Sequence, residues 1–307
     1  MSAEAPREKA EAWVVAAYAI FACTLGLVLY LALRLPGVGP VRAYVMGPIV
    51  LAGSALATGL FGLVVSLRKR PFIRRGRLRG AACLGLVIAG VTYPIPFPAR
   101  RERHPSLVEF RLPVRGEWTV VWGGNGHPGN MLAQTRADRR WGLDLLISRD
   151  GQSRSGNGTR LENYFAFDQA VVAPASGRVA VLRDAFPDRL PGEIRDPDCD
   201  EFGNLIVLEV AEAEFAFLCN LKQGSILVGL GEEVEQGQEL ARVGNSSCSA
   251  FTPEPHLALH LQDTPVPRWG QAVPWFFNSY NSGSTLVMRG LPSGGPRLGG
   301  ERVRSIE

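Results

Sequence analysis

The sequence predicts a membrane α-helical anchor of three helices followed by an all-β, mainly antiparallel domain. Three observations carry that prediction. Three apolar runs crowd the first hundred residues. Beyond His104 no helical periodicity of useful length appears, and short apolar runs alternate with Gly, Pro, Asn and Asp clusters. Within one of those runs, His256–Gln262, polar or small residues and leucines alternate strictly, which is the period of a strand with one buried face.

In chain order, Trp13–Leu33 and Val41–Leu67 each satisfy the need for about 20 apolar residues to cross a bilayer core, and Gly80–Phe97 is a shorter third run closed by Pro94 and Pro96. Gly53, Ala57, Gly59 and Gly62 suit close helix packing. Between the second and third runs lie Arg68, Lys69, Arg70, Arg74, Arg75, Arg77 and Arg79 with no acidic residue among them, which predicts a cytoplasmic loop. The expected location is therefore multi-pass in the cell membrane, with the N-terminus cytoplasmic, everything after Phe97 extracytoplasmic, and membrane lipid as one partner. The chain has 33 basic against 29 acidic residues, and this loop holds seven of the basic ones, so the remainder keeps no basic patch for nucleic acid. The expected layout is a transmembrane region at 1–103, an extracytoplasmic β domain at 104–281 and a disordered tail at 282–307, the last on its Gly, Pro, Ser and Arg content.

Cys23 and Cys83 fall in the apolar runs, whereas Cys199, Cys219 and Cys248 fall where a disulfide is permitted. Three thiols allow at most one pair, Cys199–Cys248 being the candidate between two long loops. Asp196, Asp198 and Asp200 have calcium-loop spacing, but Val207 stands where the bidentate glutamate belongs, so a solvated acidic loop is the reading.

The chemistry concentrates in a series of motifs: VVAPASGRVAVLRD from Val171, FGNLIVLEV from Phe202, FAFLCNLKQGSILVGLGEEVEQGQELARVGNSS from Phe215 and PEPHLALHLQD from Pro253. In order and spacing, over about Arg140–Asp263, they resemble the lysostaphin/LytM-type peptidoglycan endopeptidases, a β-sheet zinc peptidase family. The resemblance implies a zinc held by the His and Asp of a His-x-x-x-Asp motif and by the second His of a terminal His-x-His. The first His of that pair and a His on the aromatic strand act on the attacking water. Three protein ligands and a water are the usual catalytic zinc arrangement.

Carried onto this chain, Asp144 keeps the acidic ligand and His256 the general-base position. Arg140 and Ala258 replace the two histidine ligands, and Asn220 replaces the catalytic His of the aromatic strand. His127 and His260 are the substitutes available. On a strand rising about 3.3 Å per residue, His256 and His260 stand ~13 Å apart and cannot share one zinc, so His260 is expected at a pocket rim. Arg140 never deprotonates, and beside Asp144 it is expected to fill the cation's place through a bidentate pair.

Two functions follow. The first is a LytM-like cell-wall domain without metal or catalysis, whose groove of Arg140, Asp144, His256 and His260 binds peptidoglycan peptide or regulates a wall hydrolase. The second is an active zinc endopeptidase that cleaves peptidoglycan cross-links with substitute ligands. The first is favoured because the loss of two ligands removes most of the metal affinity; no cofactor is then expected, and zinc only if the protein is active.

Overall fold

The structure, a computed structural model, describes residues 12–32, 53, 56, 60, 64, 75–92, 101–126, 129–130, 136–191, 200–248, 252–295 and 298–306. The chain divides into two units, Met1–Ile95 and Pro96–Glu307.

Among the described residues of the first unit two helices have assigned bounds, α1 (Ala12–Ala32) and α2 (Arg75–Thr92). Trp13, Val14 and Ala17 of α1 are buried against Leu84 and Val87 of α2. Gly80 permits the approach, since a Cβ there would lie 2.9 Å from the Trp13 ring. Among the described residues no helix is long and apolar enough to cross a membrane. This overturns the three-helix anchor and, with it, the multi-pass location and the membrane-lipid contact deduced from it. The physical reason is visible in both helices. In α1, Trp13, Val14 and Ala17 are taken up in packing against α2. The latter opens on Arg75, Arg77 and Arg79, and its remainder, Gly80–Thr92, falls well short of the roughly 20 apolar residues a span requires. The run expected at Val41–Leu67 lies outside the described residues except at four single positions.

The second unit is β-rich and antiparallel, as the alternating runs predict. Its strands are β1 (Glu117–Trp122), β2 (Leu143–Leu146), β3 (Ala170–Val172), β4 (Gly177–Arg183), β5 (Asn204–Ala211), β6 (Glu214–Leu221), β7 (Glu233–Val234), β8 (Glu239–Arg242), β9 (Leu257–Gln262), β10 (Phe277–Ser282), β11 (Thr285–Gly290) and β12 (Arg302–Ser305). Ten form one sheet in the order β11-β10-β12-β1-β2-β9-β6-β5-β4-β7, and β3 and β8 pair separately.

Alternation decides which side chains enter the core. Leu257, Leu259 and Leu261 of β9, Ala216 and Leu218 of β6, and Ile206 and Leu208 of β5 pack into the main apolar cluster. The intervening residues form a second, smaller cluster of Phe202, Leu205, Val207, Phe217, Cys219 and Ala258. Asp144 alternates with Leu143 and Leu145 of the main core, and the register places it opposite Ala258. These two faces, and that one register, position the site.

The segment 282–307, expected to be disordered, instead completes the sheet: β11 pairs with β10, and β12 lies between β1 and β10. Gly283, at φ 58°, makes the turn between β10 and β11. Val303, fully buried between those neighbours, anchors β12. Composition misled here because long-range pairing, and not local propensity, orders the strand. Val303→Ala is expected to lower stability by about 1–3 kcal/mol, read as a lower urea midpoint; a disordered tail would leave the midpoint unmoved.

Candidate functional site

β2 and β9 bring Asp144 and Ala258 side by side as register partners. Asp144 is completely buried, and its charge is met by Arg139, whose Nη2 donates to Oδ1 at 2.9 Å. The other oxygen, Oδ2, accepts the Thr252 hydroxyl at 2.8 Å. Arg140 turns elsewhere: its Nη2 donates to Glu102 at 2.8 Å, and its guanidinium lies 4.6 Å from the Trp141 ring. The pairing expected of Arg140 therefore belongs to its neighbour.

The cause is a turn. Gly142 N donates to Arg139 O at 2.9 Å, and a Cβ at Gly142 would stand 3.0 Å from that same oxygen. Simple alternation from Asp144 through Gly142 would point Arg140 at the site; the turn breaks the period and sends Arg139 there instead. Asn130, buried, holds the turn from behind by donating to the carbonyls of Gly124 and Arg140, at 3.0 and 3.1 Å.

His256 precedes β9 and is 1% exposed. Its Nδ1 lies 2.6 Å from the Glu254 carbonyl, so Nδ1 carries the proton. Nε2 is buried without a hydrogen-bond partner and lies 3.9 Å from Asp144 Oδ2.

Asn220 is the residue left over at a β-bulge, since Asn204 pairs with Leu221 and Leu205 with Cys219. Its φ of 65° lies in the left-handed region, which asparagine tolerates better than most side chains. Nδ2 donates to His256 O at 2.8 Å and Gly244 O at 3.2 Å, and Oδ1 accepts Ser247 N at 2.9 Å. Where the resemblance implies a catalytic histidine, this chain has a residue that fastens the entry of β9 to the loop after β8.

His260 is buried at 1% exposure, not at a rim. It stacks on Phe217 with ring centroids 4.5 Å apart, and Nε2 lies 3.3 Å from Gln262 Oε1. Burial pushes its imidazolium down to about 3, against a smaller opposing pull from Asp138. Asp138 itself is held below the usual carboxylate range: burial opposes ionisation, but the Arg136 guanidinium, on both its oxygens at 2.9 and 2.6 Å, outweighs it. His127 lies outside the described residues.

Among the described residues the donor set does not fit zinc. Asp144 already has Arg139 and Thr252 on its two oxygens, Ala258 brings no donor, and His256 offers one nitrogen. Among the described residues no group of three His, Cys, Asp or Glu side chains is placed to hold a metal. Cys248 is disulfide-bonded and Cys219 is a free, buried thiol that burial raises to about 12; Cys199 lies outside the described residues. Asp200, once a calcium-loop candidate, accepts Arg183 Nη2 at 2.7 Å, while Asp196 and Asp198 lie outside the described residues.

The sequence pattern does not single out Arg139, Thr252 or Phe202, whose ring lies 5.9 Å from His260. The Arg139-Arg140 doublet and the turn-forming Gly142 were the available signals for the first; nothing in the pattern marks Thr252.

No protein-family model and no curated protein matches the chain. Solved structures similar to it include the catalytic domain of a prophage-encoded M23 protein, EnpA, from Enterococcus faecalis, at 16% identity over 51% of this chain and 88% of that one, with a TM-score of 0.33. A zinc containing peptidase from Vibrio cholerae is similar at 18% identity over 50% of this chain, with a TM-score of 0.31, and the chain spans only 36% of its length. The SpoIIIAH and SpoIIQ complex matches at 17% identity over 53% of this chain and 96% of that one, with a TM-score of 0.34. At such identities and scores these similarities decide nothing about chemistry, and the site is read from its own residues.

Proposed function

We propose that this unit is a LytM-like domain that holds no metal and cleaves no peptide, and that it acts by binding peptidoglycan peptide or a cell-wall hydrolase. The observation that carries the reading is the buried Arg139–Asp144 pair beside Ala258: a guanidinium occupies the carboxylate that would ligate zinc, and the neighbouring position has no donor. Without a Lewis acid, nothing in the site lowers the pKa of a water or steadies a tetrahedral oxyanion. His256 Nε2 has no hydrogen-bond partner, but the ring is sealed from solvent.

The competing reading, a zinc endopeptidase with substitute ligands, has one observation in its favour. His256 Nε2, which has no hydrogen-bond partner, lies 3.9 Å from Asp144 Oδ2, so two potential ligand atoms stand close together. Metal analysis of the purified full chain, with a peptidoglycan sedimentation and degradation assay, separates the two. The expected result is less than about 0.1 zinc per chain, no wall degradation, and co-sedimentation with wall material or capture of a wall hydrolase. Stoichiometric zinc with degradation lost in His256→Ala would sink the non-catalytic reading.

A further inference from the structure

The face of the sheet that carries Ala258 and His260 is covered by a side chain from a loop. Phe202, just ahead of β5 and 1% exposed, lies 6.4 Å from the Phe217 ring and 5.9 Å from His260. It shares one apolar cluster with Cys219 and Ala258. Three guanidinium groups close over its other side, Arg136 at 5.4 Å, Arg268 at 5.9 Å and Arg139 at 6.0 Å. Glu201 ties two of these together, pairing with Arg136 and, at 2.9 Å, with Arg268.

The backbone beneath is fixed, and two of the three cations over the ring are held by buried carboxylates, Arg136 by Asp138 and Arg139 by Asp144; Arg268 is held by Glu201. Asp200 Oδ1 accepts Phe202 N at 2.8 Å, Asn220 N donates to Phe202 O at 2.9 Å, and Cys248 N donates to Asp200 O at 3.1 Å. Gly203, at φ 61°, is packed so tightly on Ser246 that a Cβ would lie 2.6 Å from it. By contrast the Glu201–Arg268 pair is partly exposed, 27% and 55%, and pairs of that kind are weak and sensitive to salt. A cation over an aromatic face adds a further small hold.

We infer that Glu201 and Phe202 form a hinged plug: the Phe202 ring rotates about its Cα–Cβ bond on a fixed backbone, and the Arg136–Glu201–Arg268 bridge latches it shut. A ligand reaches the Ala258–His260 floor only by displacing that ring, so the latch controls access to the groove. The use of the plug rests on the groove-binding reading; its existence does not, and the test addresses the plug alone.

Cys219 lies under the ring and reports its movement. In the full chain carrying Cys23→Ser and Cys83→Ser, the rate of iodoacetamide labelling at Cys219, followed by peptide mass spectrometry, is the readout. Glu201→Gln is expected to raise that rate about fivefold, and Phe202→Ala to raise it further. Raising NaCl to about 1 M, where the Debye length is ~3 Å, is expected to accelerate labelling in the parent but not in Glu201→Gln. Hydrogen exchange at the β1 amides of Trp118–Val120 is expected to stay constant throughout. Equal labelling in all variants overturns the plug, and so does an increase matched by faster β1 exchange, which would mean global unfolding. Faster labelling with constant β1 exchange, combined with neither wall binding nor capture of a wall hydrolase, leaves the plug standing and removes the groove-binding reading.

Discussion

Arg139→Met is expected to destabilise the β unit by about 3–5 kcal/mol, seen as a fall in the urea midpoint with the slope unchanged. The side chains of Arg139 and Asp144 are 3% and 0% exposed, so the substitution strands a carboxylate among apolar neighbours with only the Thr252 hydroxyl and a distant imidazole for company. Removal of one partner is the costly case, because the ion that stays behind keeps its full desolvation penalty. The double variant Arg139→Met, Asp144→Leu is expected to recover most of the loss. An unchanged midpoint in the single variant would mean that another cation reaches Asp144, and the assignment of Arg139 as the cation's stand-in would fall. Arg140→Met, by contrast, removes the pair with Glu102 and the contact with the Trp141 ring but leaves Asp144 paired with Arg139, and is expected to cost less than Arg139→Met.

The second large effect is acid sensitivity from His260. Burial depresses its folded-state value to about 3 from an ordinary 6.5. Between those limits the unfolded chain binds a proton that the folded chain refuses, so stability is fully present above about 6.5 and is lost as pH falls toward 3. Over the whole window the loss is on the order of 4–5 kcal/mol. Asp138, also lowered, adds loss in the same direction but only below the ordinary carboxylate range. His260→Phe keeps the stack on Phe217 and is expected to flatten the stability profile between pH 6 and 4, measured as urea midpoints at half-unit steps. A slope unaltered by the substitution would show that His260 is protonated in the folded state and that the ring is not sealed.

Much of the site's frame is legible in the sequence, and its chemistry is only partly so. The alternation through His256–Gln262 yields the strand and the face shared by Ala258 and His260, because a period of two is a backbone property that the structure keeps. The identity of the cation on Asp144 is not legible in that way. Spacing favours Arg140, and one turn hydrogen bond at Gly142 exchanges the directions of two adjacent arginines. Phe202 escapes for a related reason: a lone aromatic before a Gly-Asn pair has no periodicity, and its role depends on arginines brought from 66 residues before it to 66 after it in the chain. Apolar length and flanking charge do not separate a membrane span from a helix packed on another, and part of the apolar surface near the N-terminus lies between helices, as the Trp13–Leu84–Val87 cluster shows.

The position of β12 carries a kinetic consequence. It sits between β1 and β10, so the β10–β11 hairpin joins the rest of the sheet through a strand that follows every other strand in sequence. Thr119 pairs with Arg302 across almost the whole length of the unit. Closure of so large a loop must precede the contacts that reward it, and such topologies fold slowly. Until β12 docks, β1 and β10 both present open edges, and the chain is then most vulnerable to pairing with a second copy of itself. The short stretch Arg302–Ser305 thus acts as a keystone, set last and under no load until the arch on both sides of it is standing.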